Sequence, residues 1–170
     1  MNASRHEARQ GNVGAGTGAT VGKLKGMRYA MKGGLGTASI RAGDLVVGAI
    51  VAVNALGDVV DPGTGQILAG ALDDDLSGFA CTEVLMMRFQ EVRGNVFGGN
   101  TTIGVVATNA DLTKAQATKV SSMAQNGIAL TIRPAHTMFD GDTIFTMATG
   151  DVGADVSVVG VMACNAVAGA

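Results

Sequence analysis

Apolar residues along the 170-residue chain gather in a few dense runs separated by glycine and polar clusters. DLVVGAIVAVNALGDVV, residues 44–60, is rich in Val and Ile and carries Gly-Asp near its end, which reads as a central strand leading into a turn. DPGTGQILAG, residues 61–70, follows as a hairpin-type turn and a short strand. TTIGVVATN, residues 101–109, is a β-branched run of strand length, and Thr113-Lys114-Ala115-Gln116 has the form of a capping box. Leu112, Ala115, Val120, Met123, Ala124 and Ile128 then recur at near-helical spacing, predicting an amphipathic helix that ends towards Arg133-Pro134. HTMFDGD reads as a loop and TIFTMATG as a second strand. Asp155 caps a last helix, DVSVVGVMACNAVAGA, whose apolar character all round predicts a position sandwiched between layers. Strands with helices packed outside them make an α+β, layered architecture, and the chain shows no internal repeat.

Two regions break this regularity. From Gly11 to Ile40 the chain is punctuated by glycine (GNVGAGTGATVGK, then MKGGLGTASI), so turns and close backbone approaches are expected there. From Ala71 to Asn100 an acidic cluster, Asp73-Asp74-Asp75, precedes CTEVLMMRFQEVRGNVFGGN, which combines a short helix with a glycine-rich end. This stretch is expected to be an exposed, mobile linker.

Composition narrows the function classes. With 26 glycines and only 15% charged residues the chain is no disordered solvating segment, and its glycines keep no collagen period. Twelve basic against 14 acidic residues argue against an electrostatic nucleic-acid binder. Cys81 and Cys164 stand far apart in apolar surroundings and are expected to be small buried residues in a reducing cytoplasm. No secretory signal is expected in the polar MNASRHEARQ start, and neither Leu45–Leu56 nor Val156–Ala170 is long enough to span a bilayer as a helix.

Several motifs fail on context. Gly14-Ala15-Gly16-Thr17-Gly18-Ala19 satisfies GxGxxG/A, but no strand precedes it and no acidic residue follows at the ribose-binding distance. Gly22-Lys23 lacks the remaining residues of a phosphate loop. His136, Asp140 and Asp142 are what a tight turn needs, so no metal and no cofactor is expected. Gly98-Gly99-Asn100-Thr101-Thr102-Ile103 is different: a flexible segment runs straight into a hydroxyl residue opening a strand. Self-cleavage needs such an exposed peptide bond followed by a side chain that can attack its carbonyl. The freed threonine amine, with an ordinary pKa of about 8, can then serve as base for its own hydroxyl.

Together GNVGAGTGATVGK, VGAIVAVNALGDVVDPGTGQILAG, NTTIGVVATNADLTKAQATKV and RPAHTMFDGDTIFTMATG resemble the DmpA-type aminopeptidases, also described as L-aminopeptidase/D-esterases. The β-peptidyl aminopeptidases and the nylon-oligomer endohydrolases are similar. The resemblance covers most of residues 11–170 and implies a four-layer αββα sandwich of the N-terminal-nucleophile hydrolase type. It implies one partial domain, cut between Asn100 and Thr101 into an α part, whose 71–100 segment is the linker, and a β part, 101–170. By the same resemblance Thr101 is the nucleophile, and Asn54 donates to the oxyanion. The positive charge of Lys23 lowers the proton affinity of Thr101, and Asp140 and Asp142 hold the Thr101 ammonium or orient Lys23. Small peptides or amides are the implied substrates, and a homo-oligomer, a tetramer in similar proteins, the implied assembly.

Relatives of this kind carry well over a hundred residues before the GNVGAGTG block. A chain lacking them is expected to expose a sheet edge and an apolar face. Two other functions stay open at this point: an acyl transferase like ornithine acetyltransferase, and a catalytically silent assembly fragment.

Overall fold

The computed structural model describes residues 8–88 and 99–170. A 3₁₀ turn, Gly14–Gly16, precedes a two-stranded ribbon of β1 (Thr20–Val21) and β2 (Met31–Lys32). The main sheet has the order β3-β4-β7-β9, built from β3 (Gly34–Ala42), β4 (Leu45–Val53), β7 (Ile103–Ala110) and β9 (Thr143–Val152). Its first three strands are antiparallel neighbours, while β7 and β9 run parallel. β5 (Asp58–Val60), β6 (Ile67–Ala69) and β8 (Ile132–Arg133) form a small second sheet of order β6-β5-β8. The helices are α1 (Thr82–Arg88), α2 (Lys114–Thr131) and α3 (Val156–Gly169).

Period-two alternation decides which way the main sheet faces. Val47, Ala49 and Val51 of β4 and Val106 and Ala110 of β7 point to one side. There they pack with Val120, Ala124 and Ile128 of α2 and Val159, Ala163 and Ala166 of α3 into a single core. The two helices approach closely because glycine stands at the contact. A Cβ on Gly127 would lie 2.4 Å from the Cys164 carbonyl oxygen, and one on Gly160 would lie 2.3 Å from the Met123 sulfur. The other side of the sheet carries Ile103, Phe145 and Met147, each at least half exposed. Of the four expected layers, the described residues thus build one helical layer and the main sheet, with the small sheet in addition.

Most predicted elements stand where the apolar pattern put them. The capping box is present, with the Thr113 side chain accepting from Gln116 N and the Gln116 side chain accepting from Thr113 N, and Asp155 caps α3. Four expectations change. Gly34–Ala42 is a full strand pairing along β4 rather than a string of turns, with the left-handed Gly43 (φ 61°) closing the hairpin. The 71–100 segment is not exposed throughout: Ala71 and Thr82 are completely buried, and Asp58 holds them. Its remainder from residue 89 to Gly98 lies outside the described residues. Helix α3 is one-sided, with Val158 and Val161 about half exposed, since helix α2 and the sheet cover only the opposite face. Both cysteines are free and half-buried rather than buried, and burial pushes the Cys164 thiol up.

Candidate active site

Strand register alone brings three distant segments to one end of the main sheet. Ile103 stands opposite Ala52 and beside Thr143. Continuing both registers two residues towards the chain start places Thr101 opposite Asn54 and beside Gly141. The hydrogen bonds agree: Thr101 N donates to the Asn54 carbonyl oxygen at 2.9 Å, Gly141 N to the Asn100 carbonyl oxygen at 2.9 Å, and Thr143 N to the Thr102 carbonyl oxygen at 3.0 Å. The same alternation separates the two threonines. Thr101 faces the open side with Ile103 and Val105, and Thr102 is fully buried on the helix side.

Lys23 reaches this point from the glycine-rich block. Gly22 N and Lys23 N donate to the Gly57 and Leu56 carbonyl oxygens at 2.9 and 3.0 Å, holding the lysine against the end of β4. Position 22 demands glycine twice over. Its φ is 67°, and a Cβ there would sit 2.0 Å from Ala71 N. Lys23 Nζ donates to the Asn54 carbonyl oxygen (3.1 Å), to Asn54 Oδ1 (2.9 Å) and to the Gly99 carbonyl oxygen (2.9 Å). Thr20 N also donates to Asn54 Oδ1, at 3.1 Å. Two donors on Oδ1 fix the amide so that Asn54 Nδ2 donates to the Gly99 carbonyl oxygen. Lys23 is only 9% exposed, and burial lowers its pKa to about 8 against an opposing pull from the Asp140 charge.

The Thr101 hydroxyl donates to the carbonyl oxygen of Asn100 at 2.6 Å. It therefore lies against the carbonyl group of the bond at which cutting is expected. The two aspartates lie along the same segment but hold other groups. Asp140 Oδ2 accepts from Thr137 N (3.0 Å) and Thr137 Oγ1 (2.7 Å), closing the loop before β9. Asp142 Oδ1 accepts from Thr102 N at 2.7 Å, and His136 Nδ1 stands 3.5 Å from Asp142 Oδ2. Burial raises the Asp142 pKa, and the nearby Asp140 charge adds to the rise. The Thr102 amide and the His136 side chain oppose it.

All five expected site residues and Asn100 therefore converge, with the expected contacts rearranged. Asn54 and Lys23 bind the carbonyl of Gly99, one residue before the Asn100–Thr101 bond, and Asp142 binds the amide after it. Gly141, whose amide touches Asn100, has no side chain by which a motif could show it, and His136 is expected only as a turn residue. His136 does occupy a turn, with φ 56°, but its ring also faces Asp142. In front of Thr101 and Asn54 opens a cavity of about 430 Å³, otherwise lined by apolar side chains and backbone, among them Leu35, Ile50, Ile103 and Val105. Among the described residues no group of three or more His, Cys, Asp or Glu side chains is placed to hold a metal ion, and no helix is long and apolar enough to cross a membrane.

The sequence pattern of peptidase family S58 matches residues 1–168. The chain belongs to this family. An aminopeptidase of Mycobacterium leprae is 46% identical over 143 residues, which cover 84% of this chain and 38% of that protein. The 6-aminohexanoate-oligomer endohydrolase of Paenarthrobacter ureafaciens is 30% identical over 146 residues, 84% of this chain and 40% of that enzyme. The chain thus spans about two fifths of the length of these curated relatives. The solved L-aminopeptidase D-Ala-esterase/amidase of Ochrobactrum anthropi, a variant of the Ntn-hydrolase fold, superposes with a TM-score of 0.64 at 19% identity, over 98% of this chain and 44% of that one. A Burkholderia β-aminopeptidase superposes with a TM-score of 0.56 at 24% identity, over 94% and 44% of the two chains. At those identities the likeness is one of fold alone, and the fold of this S58 chain is α+β, like that variant of the Ntn-hydrolase fold.

Proposed function

We propose that the protein carrying this chain is a self-processing amide hydrolase, an aminopeptidase or amidase of small peptides or amides, cut between Asn100 and Thr101. The observation that carries the reading is the convergence of Lys23, Asn54 and the 99–101 segment beside an apolar cavity. After the cut, Thr101 is the nucleophile and its own α-amine the base. Lys23 and Asn54, relieved of the Gly99 carbonyl, face the substrate. Asn54 Nδ2 donates to the tetrahedral oxyanion, a contribution of about 10²- to 10³-fold in rate for one such donor. The charged Lys23 lowers the proton affinity of Thr101. Asp142, one residue beyond Thr101 through the Thr102 amide, and Asp140, whose charge Lys23 feels, steady the new ammonium. The same reading carries a cytoplasmic homo-oligomer.

The test is turnover of amino-acid amides and short α- and β-peptides by the protein expressed from its whole gene, before and after acylation of the Thr101 amine. Hydrolysis that the acylation abolishes supports the reading. Product that forms only when a free amino-acid acceptor is added makes the protein an acyl transferase instead, and no turnover by a cut, folded sample makes it a silent assembly module.

A further inference from the structure

We propose that the backbone N–H of Gly141 is the oxyanion donor of the self-cut, so that processing and turnover use different donors in one site. The inference rests on the self-processing reading above and deepens it. In the uncut chain both side-chain donors are committed to the wrong carbonyl for cutting the Asn100–Thr101 bond: Asn54 Nδ2 and Lys23 Nζ bind the oxygen of Gly99. The carbonyl that must accept charge is that of Asn100, and Gly141 N donates to it at 2.9 Å while the Thr101 hydroxyl lies against the same oxygen at 2.6 Å. The donor is rigidly delivered, since parallel pairing of β9 with β7 places Gly141 beside Thr101 and the Asp140 turn anchors the preceding residue.

The covalent step closes without an outside reagent other than water. Thr101 Oγ1 bonds to the Asn100 carbonyl carbon, and the carbonyl π pair moves onto the oxygen that Gly141 N–H faces. The hydroxyl proton passes to the Thr101 nitrogen as the C–N bond breaks, leaving an ester and a free amine. Water then divides that ester into the Asn100 carboxylic acid and the Thr101 hydroxyl. Glycine is required at the donor position because a Cβ on residue 141 would stand 2.9 Å from Thr101 Oγ1, where the attacking hydroxyl needs room.

An amide-to-ester replacement between Asp140 and Gly141, made by translating glycolic acid at that codon, removes the N–H and adds no atom. In the protein from the whole gene, processing is expected to slow by about 100-fold or more while the melting temperature stays close to that of the unaltered protein. A folded ester variant that cuts within about threefold of the unaltered rate overturns the Gly141 assignment while leaving self-processing intact. Failure of the unaltered protein to cut at all removes the reading on which the assignment rests. Should the ester variant not fold, the uncut Thr101→Ala protein with a ¹³C-labelled Asn100 carbonyl gives the answer by infrared spectroscopy. A hydrogen-bonded, low-frequency band supports the Gly141 donor, and an unbonded band contradicts it.

Discussion

Two buried aspartates, one in the small sheet and one beside Thr102, show how differently one side chain can be used. Asp58, 1% exposed, accepts from Ala71 N (2.8 Å), Thr82 N (2.6 Å) and Thr82 Oγ1 (2.6 Å), and so fastens residue 71 and the start of α1 to the small sheet. A carboxylate served by three fixed donors is a structural clamp. The Asp142 side chain is 5% exposed and receives one backbone amide and a histidine at 3.5 Å, with a like charge close by, so its carboxyl is held above the ordinary range. Burial without full compensation is what leaves a group ready to exchange a proton. Donor count, rather than depth, separates the two.

The contrast is open to attack by substitution. Asp58→Ala strands three buried donors and is expected to cost roughly 3 kcal/mol or more of unfolding free energy, read from urea denaturation. A loss below about 1 kcal/mol, the worth of one ordinary hydrogen bond, would deny Asp58 its clamping role. Asp142→Asn keeps an acceptor for Thr102 N but loses the charge that steadies the Thr101 ammonium, and is expected to slow amide turnover by about 100-fold with little loss of stability. The pH dependence has a definite sign. Because the folded carboxyl binds its proton more tightly than the unfolded one, unaltered protein loses stability as pH rises from the ordinary aspartate range through the raised value. The asparagine variant should lack that loss, and a variant that unfolds as readily as Asp58→Ala would erase the distinction. A smaller effect is expected at Gly70, where a Cβ would meet Asp58 Oδ1 at 2.3 Å. Gly70→Ala should cost about 1–3 kcal/mol by crowding the clamp, and an unchanged denaturation midpoint would show that the clamp yields.

Lys23 supplies the mildest test. Its pKa near 8 means that the unfolded chain binds more protons between pH 8 and the ordinary 10.5, so stability rises with pH across that window. The charge that assists Thr101 is lost over the same range. Turnover by the cut protein should therefore decline above about pH 8, and Lys23→Met should be slower with that inflection gone. An inflection that survives the substitution belongs to another group.

Much of the fold was legible because long strands and helices write their period into the chain. The alternation through β4 and β7 and the capping box at Thr113 needed nothing beyond sequence. β3 was hidden because Gly34, Gly36, Thr37 and Ser39 interrupt its apolar pattern. Gly36 has no space for a side chain, since a Cβ would stand 1.5 Å from the carbonyl oxygen of Ala170. The strands β5, β6 and β8 are too short to show a period. The site residues were recognisable as motifs, but their juxtaposition depends on register. Only when β7 is paired with both β4 and β9 do Asn54, Thr101 and Gly141 meet. Gly141 was invisible as a chemical group because its contribution is a backbone N–H, and glycine between two aspartates reads simply as a turn.

The central claim is that Thr101 cuts the bond before it. Intact-mass measurement on the protein from its whole gene, beside its Thr101→Ala variant, tests this most directly. The account predicts two fragments for the unaltered protein, the second beginning at Thr101, and a single uncut mass for the variant. A single uncut mass for both, or a boundary at any other bond, would contradict it.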